Sequence, residues 1–450
     1  MTFGRAAILI AAATTVHALV YLPFTRTHVT ADSPTYLAAG QALLHGSYST
    51  PLRANLYYTD VPGGWVDRTN LRLPRSVWDV RERQTFRTPA YPLVIALTGG
   101  GSGAFRFLLY VVQAAMLGGA AFALIHGLAL LTSRTVALAG GALYALDPFS
   151  KRYAWLVMTE ATAALLMAVT FFFFARAVRT RSRRSWAAAG AAAAATTLAR
   201  PVFVMLIPLL LLAILAFERR RRYVSAFAVL AAAAIVLAPW LAWTTAVVGR
   251  PILATYTEGM ALLEGAWGQG YHRRSGEVER DPAFLAKLAA VHRFAPSVET
   301  LRHDPNAHAK YLDRADAELR RDAIRRYDTR LGNDVSGVAW NIAYRAYFIW
   351  DAHDDWYQPR ALLPLLRLAD WLALALAAAG AVLIGRRYGR AAACIPLFLL
   401  TYAFFSALHL TEARFGIPVR TLYLSLVAVA GVEVVQLLRR SLRGASRATA

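Results

Sequence analysis

The sequence predicts an all-α polytopic membrane protein of about ten transmembrane helices, with two large external loops that contain juxtamembrane helices. Three observations carry this. Apolar runs such as AAILIAAATTVHALVYLPF (6–24) and FRFLLYVVQAAMLGGAAFALIHGLALL (105–131) reach or approach the roughly 20 residues needed to cross a bilayer. Of the 450 residues 57% are apolar, and charge is not interleaved with them as it is on the wetted helix faces of a soluble protein. Charge gathers instead in short basic clusters and two long polar stretches.

The placement of charge decides between partners. Arg5, Arg134, the group Arg176 to Arg184, the run Arg219–Arg222, then Arg386, Arg387, Arg390 and finally Arg439 to Arg447 all lie in short segments between or beyond apolar runs. The stretch 249–360 carries 16 Lys/Arg and 16 Asp/Glu, so it is neutral overall. Basic short segments alternating with balanced long ones follow the positive-inside rule. The net charge of +22 therefore reflects orientation in a lipid bilayer. Nucleic-acid binding, which needs the basic residues on one presented surface, is excluded as a partner class.

Taken in order, the expected spans are 6–24, 105–131, 135–149, 154–175, 186–199, 201–217, 223–246, 361–384, 391–409 and 415–436. The first begins with a basic residue but lacks a small-residue cleavage site, and reads as an uncleaved span. The stretch 186–217 is too long for one straight crossing and too short for two full ones. Two short helices meeting at Arg200-Pro201 keep Arg219–Arg222 on the basic side, and proline suits a helix start. Ten crossings put both termini in the cytoplasm.

The chain then divides into an N-terminal transmembrane module (1–246) that includes the first external loop (25–104), a second external loop (247–360), and C-terminal helices with a basic tail (361–450). The first loop holds a predicted helix, SPTYLAAGQALLHG, with Asp32-Ser33-Pro34 as its capped start. The second holds DAELRRDAIRRYDTRL, apolar at helical spacing and read as a surface or interfacial helix. The single cysteine, Cys394, permits no intrachain disulfide.

Ionisable groups in or beside spans are costly and mark candidate sites. On this map Asp32, Arg87, Asp147, Lys151, Arg152, Glu160, Arg200, Glu412 and Arg414 gather at the external face. Transfer from a lipid-linked phosphosugar needs a carboxylate to take the acceptor's proton and cations to receive the departing phosphate. Asp32 supplies the first. Arg87, Arg152, Arg200 and Arg414 are candidates for the second, since guanidinium presents paired donors. Glu160, Glu258 and Glu412 are the alternative acids, Tyr36 helps fix Asp32 near the surface, and His409 is a further candidate. Each has a plainer reading: Asp32 as a helix cap, Glu160 paired with Arg152, Arg87 and Arg414 snorkelling to headgroups, Arg200 as structural, His409 as a helix-end histidine. No pair of His or Cys residues has metal-ligand spacing, so no metal ligand is assigned; a divalent cation on Asp32 and another acid is left open.

Several segments also carry a resemblance. ADSPTYLAAGQALLHGSYS resembles the first external loop of bacterial GT-C-type glycosyltransferases, which include the dolichyl-phosphate-mannose protein mannosyltransferases and the aminoarabinose transferase of lipid A modification. FRTPAYPLVIAL, LVMTEATAALLMAV, LARPVFVMLIPLLLL, VVGRPILATYTEGMALLEGAW with ELRRDAIRRY, and TEARFGIPV are similar to later segments of the same family, in the same order. The resemblance implies a GT-C-like bundle in a bacterial inner membrane. It also implies inverting transfer of a sugar from a polyprenyl-phosphate donor to an envelope glycan, lipid or protein. Within it Asp32 is the catalytic carboxylate, with Arg87 and Arg414 near the donor phosphate. One departure is that Ser33 follows Asp32 where many relatives have a second acid. The main rival is a transporter or flippase of a lipid-linked or anionic solute. Transporters show repeat symmetry and midplane polar sites, whereas here the loops are unequal and charge clusters near one surface.

Overall fold

A computed structural model describes residues 1–20, 30, 32–58, 65–67, 69–253, 258–267, 281–350, 363–409 and 413–448. Each expected span overlaps a described helix: α1 Phe3–Val20, α4 Ala104–Leu131, α5 Arg134–Leu146, α7 Glu160–Thr180, α8 Arg183–Ala199, α9 Leu206–Phe217, α10 Arg222–Val248, α16 Leu363–Tyr388, α17 Cys394–Leu408 and α18 Arg420–Ala448. Six described helices are long and apolar enough to cross a membrane: Phe3–Val20, Ala104–Leu131, Glu160–Thr180, Arg222–Val248, Arg367–Tyr388 and Arg414–Leu442. Pro201–Phe217 and Cys394–Leu408 are shorter apolar helices. The chain is an all-α, multi-pass membrane protein.

Small residues let these helices pack closely. A Cβ on Gly190 of α8 would stand 2.5 Å from the Val229 carbonyl of α10, and one on Gly380 of α16 would stand 2.0 Å from the Leu426 carbonyl of α18. In lipid, where apolar side chains gain little by meeting one another, such close backbone approach drives helix association.

The break in α8–α9 falls where the sequence placed it. Arg200 is extended (φ −151, ψ 108), and a 3₁₀ turn over Pro201–Met205 leads into α9. Residues 154–159, expected within a span, are not α-helical: after the short helix α6 Pro148–Arg152 and a 3₁₀ turn at Tyr153–Trp155, the backbone is irregular until α7 begins at Glu160. Irregular backbone at membrane depth must be satisfied by protein groups. Here the buried Gln113 amide donates to the Ala154 and Leu156 carbonyls at 2.9 and 3.0 Å, and the Ser33 hydroxyl donates to Val157 O at 3.1 Å. Glu160 thus opens a helix instead of lying inside one.

The first polar loop carries α2 Ser33–Leu44, two antiparallel pairs (β1 Ser49–Pro51 with β4 Arg81–Arg83, β2 Tyr57–Tyr58 with β3 Trp65–Val66), and α3 Ala90–Leu97. The second carries α11 Glu258–Trp267, α12 Pro282–Ala290, α13 Val298–His303, α14 Ala307–Asn333 and α15 Val335–Phe348. The predicted DAELRRDAIRRYDTRL helix is part of α14. Leu52, Leu56, Leu73 and Val77 of the first loop share a small core with Leu301 and Ala307 of the second.

At its edge the His308 ring lies between Glu82 Oε2 (2.7 Å from Nδ1) and Asp67 Oδ2 (3.2 Å from Nε2) and is 1% exposed. Burial alone would lower the imidazole's pKa, but the Glu82 and Asp67 carboxylates outweigh it and push the value up to about 10. His308 is therefore an imidazolium that ties the two loops together.

Candidate active site

Asp32 occupies the position before α2, where a capping side chain would be expected, yet it makes no side-chain cap. Arg87 draws its carboxylate away: Nη2 donates to Asp32 Oδ1 at 2.6 Å. The helix-cap reading of Asp32 is corrected accordingly. Arg87 sits between β4 and α3, and its fork is filled by three partners. Nε donates to Thr35 Oγ1 at 2.8 Å, Nη1 to the Tyr36 hydroxyl at 3.1 Å, and the guanidinium carbon lies 4.2 Å from the Tyr36 ring centre. The Tyr48 hydroxyl holds the Arg87 carbonyl at 2.7 Å. One turn of α2 therefore presents Asp32, Thr35 and Tyr36 to a single arginine.

Arg414 comes to the other carboxylate oxygen from the far end of the chain. Its Nη2 lies 3.4 Å from Asp32 Oδ2, and its Nη1 lies 3.6 Å from Met158 Sδ. Arg414 is part of a 3₁₀ segment, Ala413–Val419, whose Phe415 carbonyl accepts the Tyr402 hydroxyl at 2.6 Å. Phe415 lies between two cations, 4.5 Å from the Arg200 guanidinium carbon and 5.9 Å from that of Arg414.

Arg200 in turn donates to Glu160 Oε1 at 3.0 Å. The expected partner of Glu160, Arg152, is replaced by Arg200; Arg152 is buried at the end of α6. Glu160 is 1% exposed, and among the described residues its Oε2 is buried without a hydrogen-bond partner. The irregular stretch before α7 and the extended Arg200 before α9 bring this acid and this base face to face.

Other sequence candidates lie apart. Glu258 is exposed at the start of α11, beside Asp316 of α14. His409 ends α17, its Nδ1 2.8 Å from the Phe405 carbonyl. Glu412 lies outside the described residues. Asp147 and Lys151 form a second buried cluster: Asp147 Oδ1 accepts Arg420 Nε at 2.8 Å, and Lys151 Nζ donates to Tyr144 O at 2.5 Å and Ser150 Oγ at 2.9 Å. Arg420 also lies 3.9 Å from Asp370. Among the described residues no group of three or more His, Cys, Asp or Glu side chains could hold a metal ion.

Sequence reasoning did not single out Thr35, Phe415, Met158 or Arg420. Phe415 carried a readable signal, an aromatic next to a membrane-edge arginine. Arg420 carried one too, as a charge inside the expected span 415–436, whereas Thr35 and Met158 had none, because their roles depend on contacts distant in sequence.

Chemically, the site offers one carboxylate held between two guanidiniums, and beside it an Arg–Glu pair with a spare buried oxygen. It can orient a carboxylate lone pair, and it can exchange carboxylate partners for the oxygens of an incoming anion.

Residues 87–243 match the family model for dolichyl-phosphate-mannose-protein mannosyltransferases, an interval that contains Arg87, Glu160 and Arg200. No curated protein matches the sequence. Among solved structures, the chain is similar to the archaeal oligosaccharyltransferase AglB from Archaeoglobus fulgidus, solved in complex with an inhibitory peptide and a dolichol-phosphate. The TM-score is 0.55 at 13% identity, over 99% of this chain and 52% of that one. The Archaeoglobus fulgidus oligosaccharyltransferase tethered to an acceptor peptide containing the NVT sequon gives 0.54 at 12% identity, over 97% and 50%. ArnT from Cupriavidus metallidurans, bound to undecaprenyl phosphate, gives 0.39 at 14% identity, over 94% and 77%. The chain spans about half the length of the oligosaccharyltransferases it matches, and the likeness to them is one of fold.

Proposed function

We propose that this chain is a membrane glycosyltransferase of the GT-C type that transfers a sugar from a polyprenyl-phosphate donor to a cell-envelope acceptor with inversion. The observation that carries the reading is the Asp32 carboxylate held by Arg87 and Arg414. In the proposed step the acceptor hydroxyl attacks the anomeric carbon and passes its proton to Asp32. The bond from that carbon to the phosphate oxygen breaks, and polyprenyl phosphate leaves with the electron pair. Two guanidiniums on one carboxylate weaken it as a base. A donor phosphate that draws one of them away restores the lone pair that the reaction needs.

Arg414 suits that exchange better than Arg87. Its bond to Asp32 is long, at 3.4 Å, while Arg87 is fixed by Asp32, Thr35 and Tyr36 at once. We therefore assign Arg414 to the phosphate and Arg87 to holding Asp32. Arg200 and Arg152 are second-rank candidates for the phosphate, and the spare Oε2 of Glu160 is available to a sugar or acceptor hydroxyl. The positive-inside rule supports placing the site on the external face of a bacterial inner membrane, with both termini cytoplasmic.

The test is Asp32→Asn. The amide keeps the shape but accepts no proton at neutral pH, so turnover should fall by roughly 100-fold or more while expression and donor binding persist. Release of polyprenyl phosphate from a panel of polyprenyl-phosphate sugars is the readout. Near-normal release would move the base to Glu160, Glu258 or Glu412.

A further inference from the structure

The end of the bundle away from Asp32 carries a dense patch of cations that the proposed reaction does not use. Arg181, Arg183 and Arg184 lie where α7 turns into α8, and Arg219–Arg222 where α9 turns into α10. All seven are exposed, and among the described residues none is paired with a carboxylate. Arg222 spends one donor on the Tyr223 hydroxyl at 3.0 Å. The one acid in these turns, Glu218, is buried and accepts the Trp186 indole N–H at 3.4 Å. Neither α8 nor α10 has an acid in its first turn. Arg200, at the other end of α8, belongs to the candidate active site, so the 17 residues of α8 hold the patch roughly 25 Å from it.

Packing brings the two turns to one level. Gly190 of α8 meets Val229 of α10. One and two helical turns further on, Ala194 and Leu198 share a core with Ala233 and Leu237. The two helices thus run in the same direction with a constant offset, which carried back to their starts sets Arg183 beside Arg222. Packed helix axes lie roughly 8–10 Å apart, a gap that arginine side chains close from both sides. Arg181 is held at φ 51 as the C-terminal cap of α7, a left-handed position where glycine is usual. The residue kept there is a cation.

The surroundings are apolar. Leu212 and Leu215 in the last two turns of α9, and Val224 and Phe227 in the first two turns of α10, are exposed. Cations bordering exposed apolar helix ends suit a lipid headgroup above its acyl chains, whereas a soluble anion would gain nothing from the apolar part.

We propose that this face binds an anionic phospholipid whose headgroup carries two phosphates, one held by Arg183 and Arg184 and the other by Arg219–Arg222. The guanidinium fork donates two parallel hydrogen bonds to a phosphate. Two level turns favour a lipid with two linked phosphates over a lipid with one, because the second contact is then intramolecular. Basic pockets between transmembrane helices hold such headgroups in general. In the orientation that the positive-inside rule supports, the lipid belongs to the cytoplasmic leaflet. The proposal is independent of the glycosyl-transfer reading.

The test is native mass spectrometry of the purified full chain in detergent, titrated with cardiolipin (two phosphates), phosphatidylglycerol (one) or phosphatidylcholine (zwitterionic), and with inorganic pyrophosphate as the soluble anion. Cardiolipin should bind at least about 10-fold more tightly than phosphatidylglycerol, and phosphatidylcholine should not saturate. Arg183→Gln with Arg222→Gln should remove the cardiolipin preference. Arg181→Gly suits the left-handed backbone, so it should weaken cardiolipin binding without lowering Tm, and it reads the site even where the double variant fails to fold. Arg439→Gln with Arg440→Gln, on α18, should leave the preference intact. Equal affinity for cardiolipin and phosphatidylglycerol, or equal loss in the α18 variants, overturns the proposal. Pyrophosphate binding as tight as that of cardiolipin also overturns it, in favour of a soluble anion.

Discussion

The tie between the polar loops makes the stability of the site depend on pH in a direction the structure sets. The His308 imidazole titrates at about 10 in the fold, against 6.5 for an unperturbed histidine. A group whose folded pKa is raised contributes its full stability below the unfolded pKa and loses it as pH rises through the folded one. At about 1.36 kcal/mol per unit, the full contribution is on the order of 5 kcal/mol, and about half of it is lost between roughly pH 7.5 and 9.5. His308 is 1% exposed, so solvent screening removes little of this. The measurement is amide exchange of β1, β4 and the start of α14 in detergent, corrected for the intrinsic rate at each pH. Wild-type protection should fall by about one to two orders of magnitude across that interval. His308→Gln leaves Glu82 and Asp67 without their cation, which costs about 3–5 kcal/mol for a broken buried pair. Its protection should start low and vary little with pH. Flat corrected protection in the wild type, or parallel profiles for the two proteins, would refute the electrostatic account. Because Arg87 follows β4 closely in the chain, turnover should decline along the same alkaline limb.

Arg87→Lys keeps the charge but cannot reach Asp32, Thr35 and Tyr36 together, so kcat should fall about 10-fold or more; Arg414→Lys should chiefly raise the donor KM, by about 10-fold. Wild-type kinetics in both variants would remove Arg414 from the donor site and Arg87 from the positioning of Asp32. Gly380→Val should destabilise the bundle by at least about 1–3 kcal/mol through overpacking, seen as a lower Tm in detergent, because even a Cβ there meets the Leu426 carbonyl at 2.0 Å; an unchanged Tm would show that α16 and α18 do not approach so closely. A topology reporter within 280–330 should read external and one after Arg184 cytoplasmic, and the reverse result would invert the proposed face of the site.

The bundle was legible because two signals that create it are local. Hydropathy over about 20 residues locates a span wherever it packs, and so α4 and α10 begin and end close to their expected limits. The failure at 154–159 has a physical cause. These residues are as apolar as a helix, but Gln113, from α4, satisfies the carbonyls that a helix would have used. A glutamine in an apolar run announces a buried hydrogen bond, but its partner is not readable from the run itself.

The site was legible as a list of residues and illegible as a set of pairs. Cost alone singled out Asp32, Arg87, Glu160, Arg200 and Arg414, because each charge near the membrane requires compensation. Which charge compensates which depends on contacts such as that between Arg414 and Asp32, 382 positions apart. Composition offered Arg152 to Glu160 as the nearer partner in sequence, and the fold supplied Arg200. The difference has a chemical consequence. Glu160, paired through one oxygen to the arginine at the α8–α9 break, keeps its other oxygen buried and unoccupied among the described residues. A buried carboxylate oxygen is costly to leave unmatched. On the proposed reading, Glu160 at the opening of α7 is half of a site that a ligand hydroxyl completes, with Arg200 holding its other oxygen.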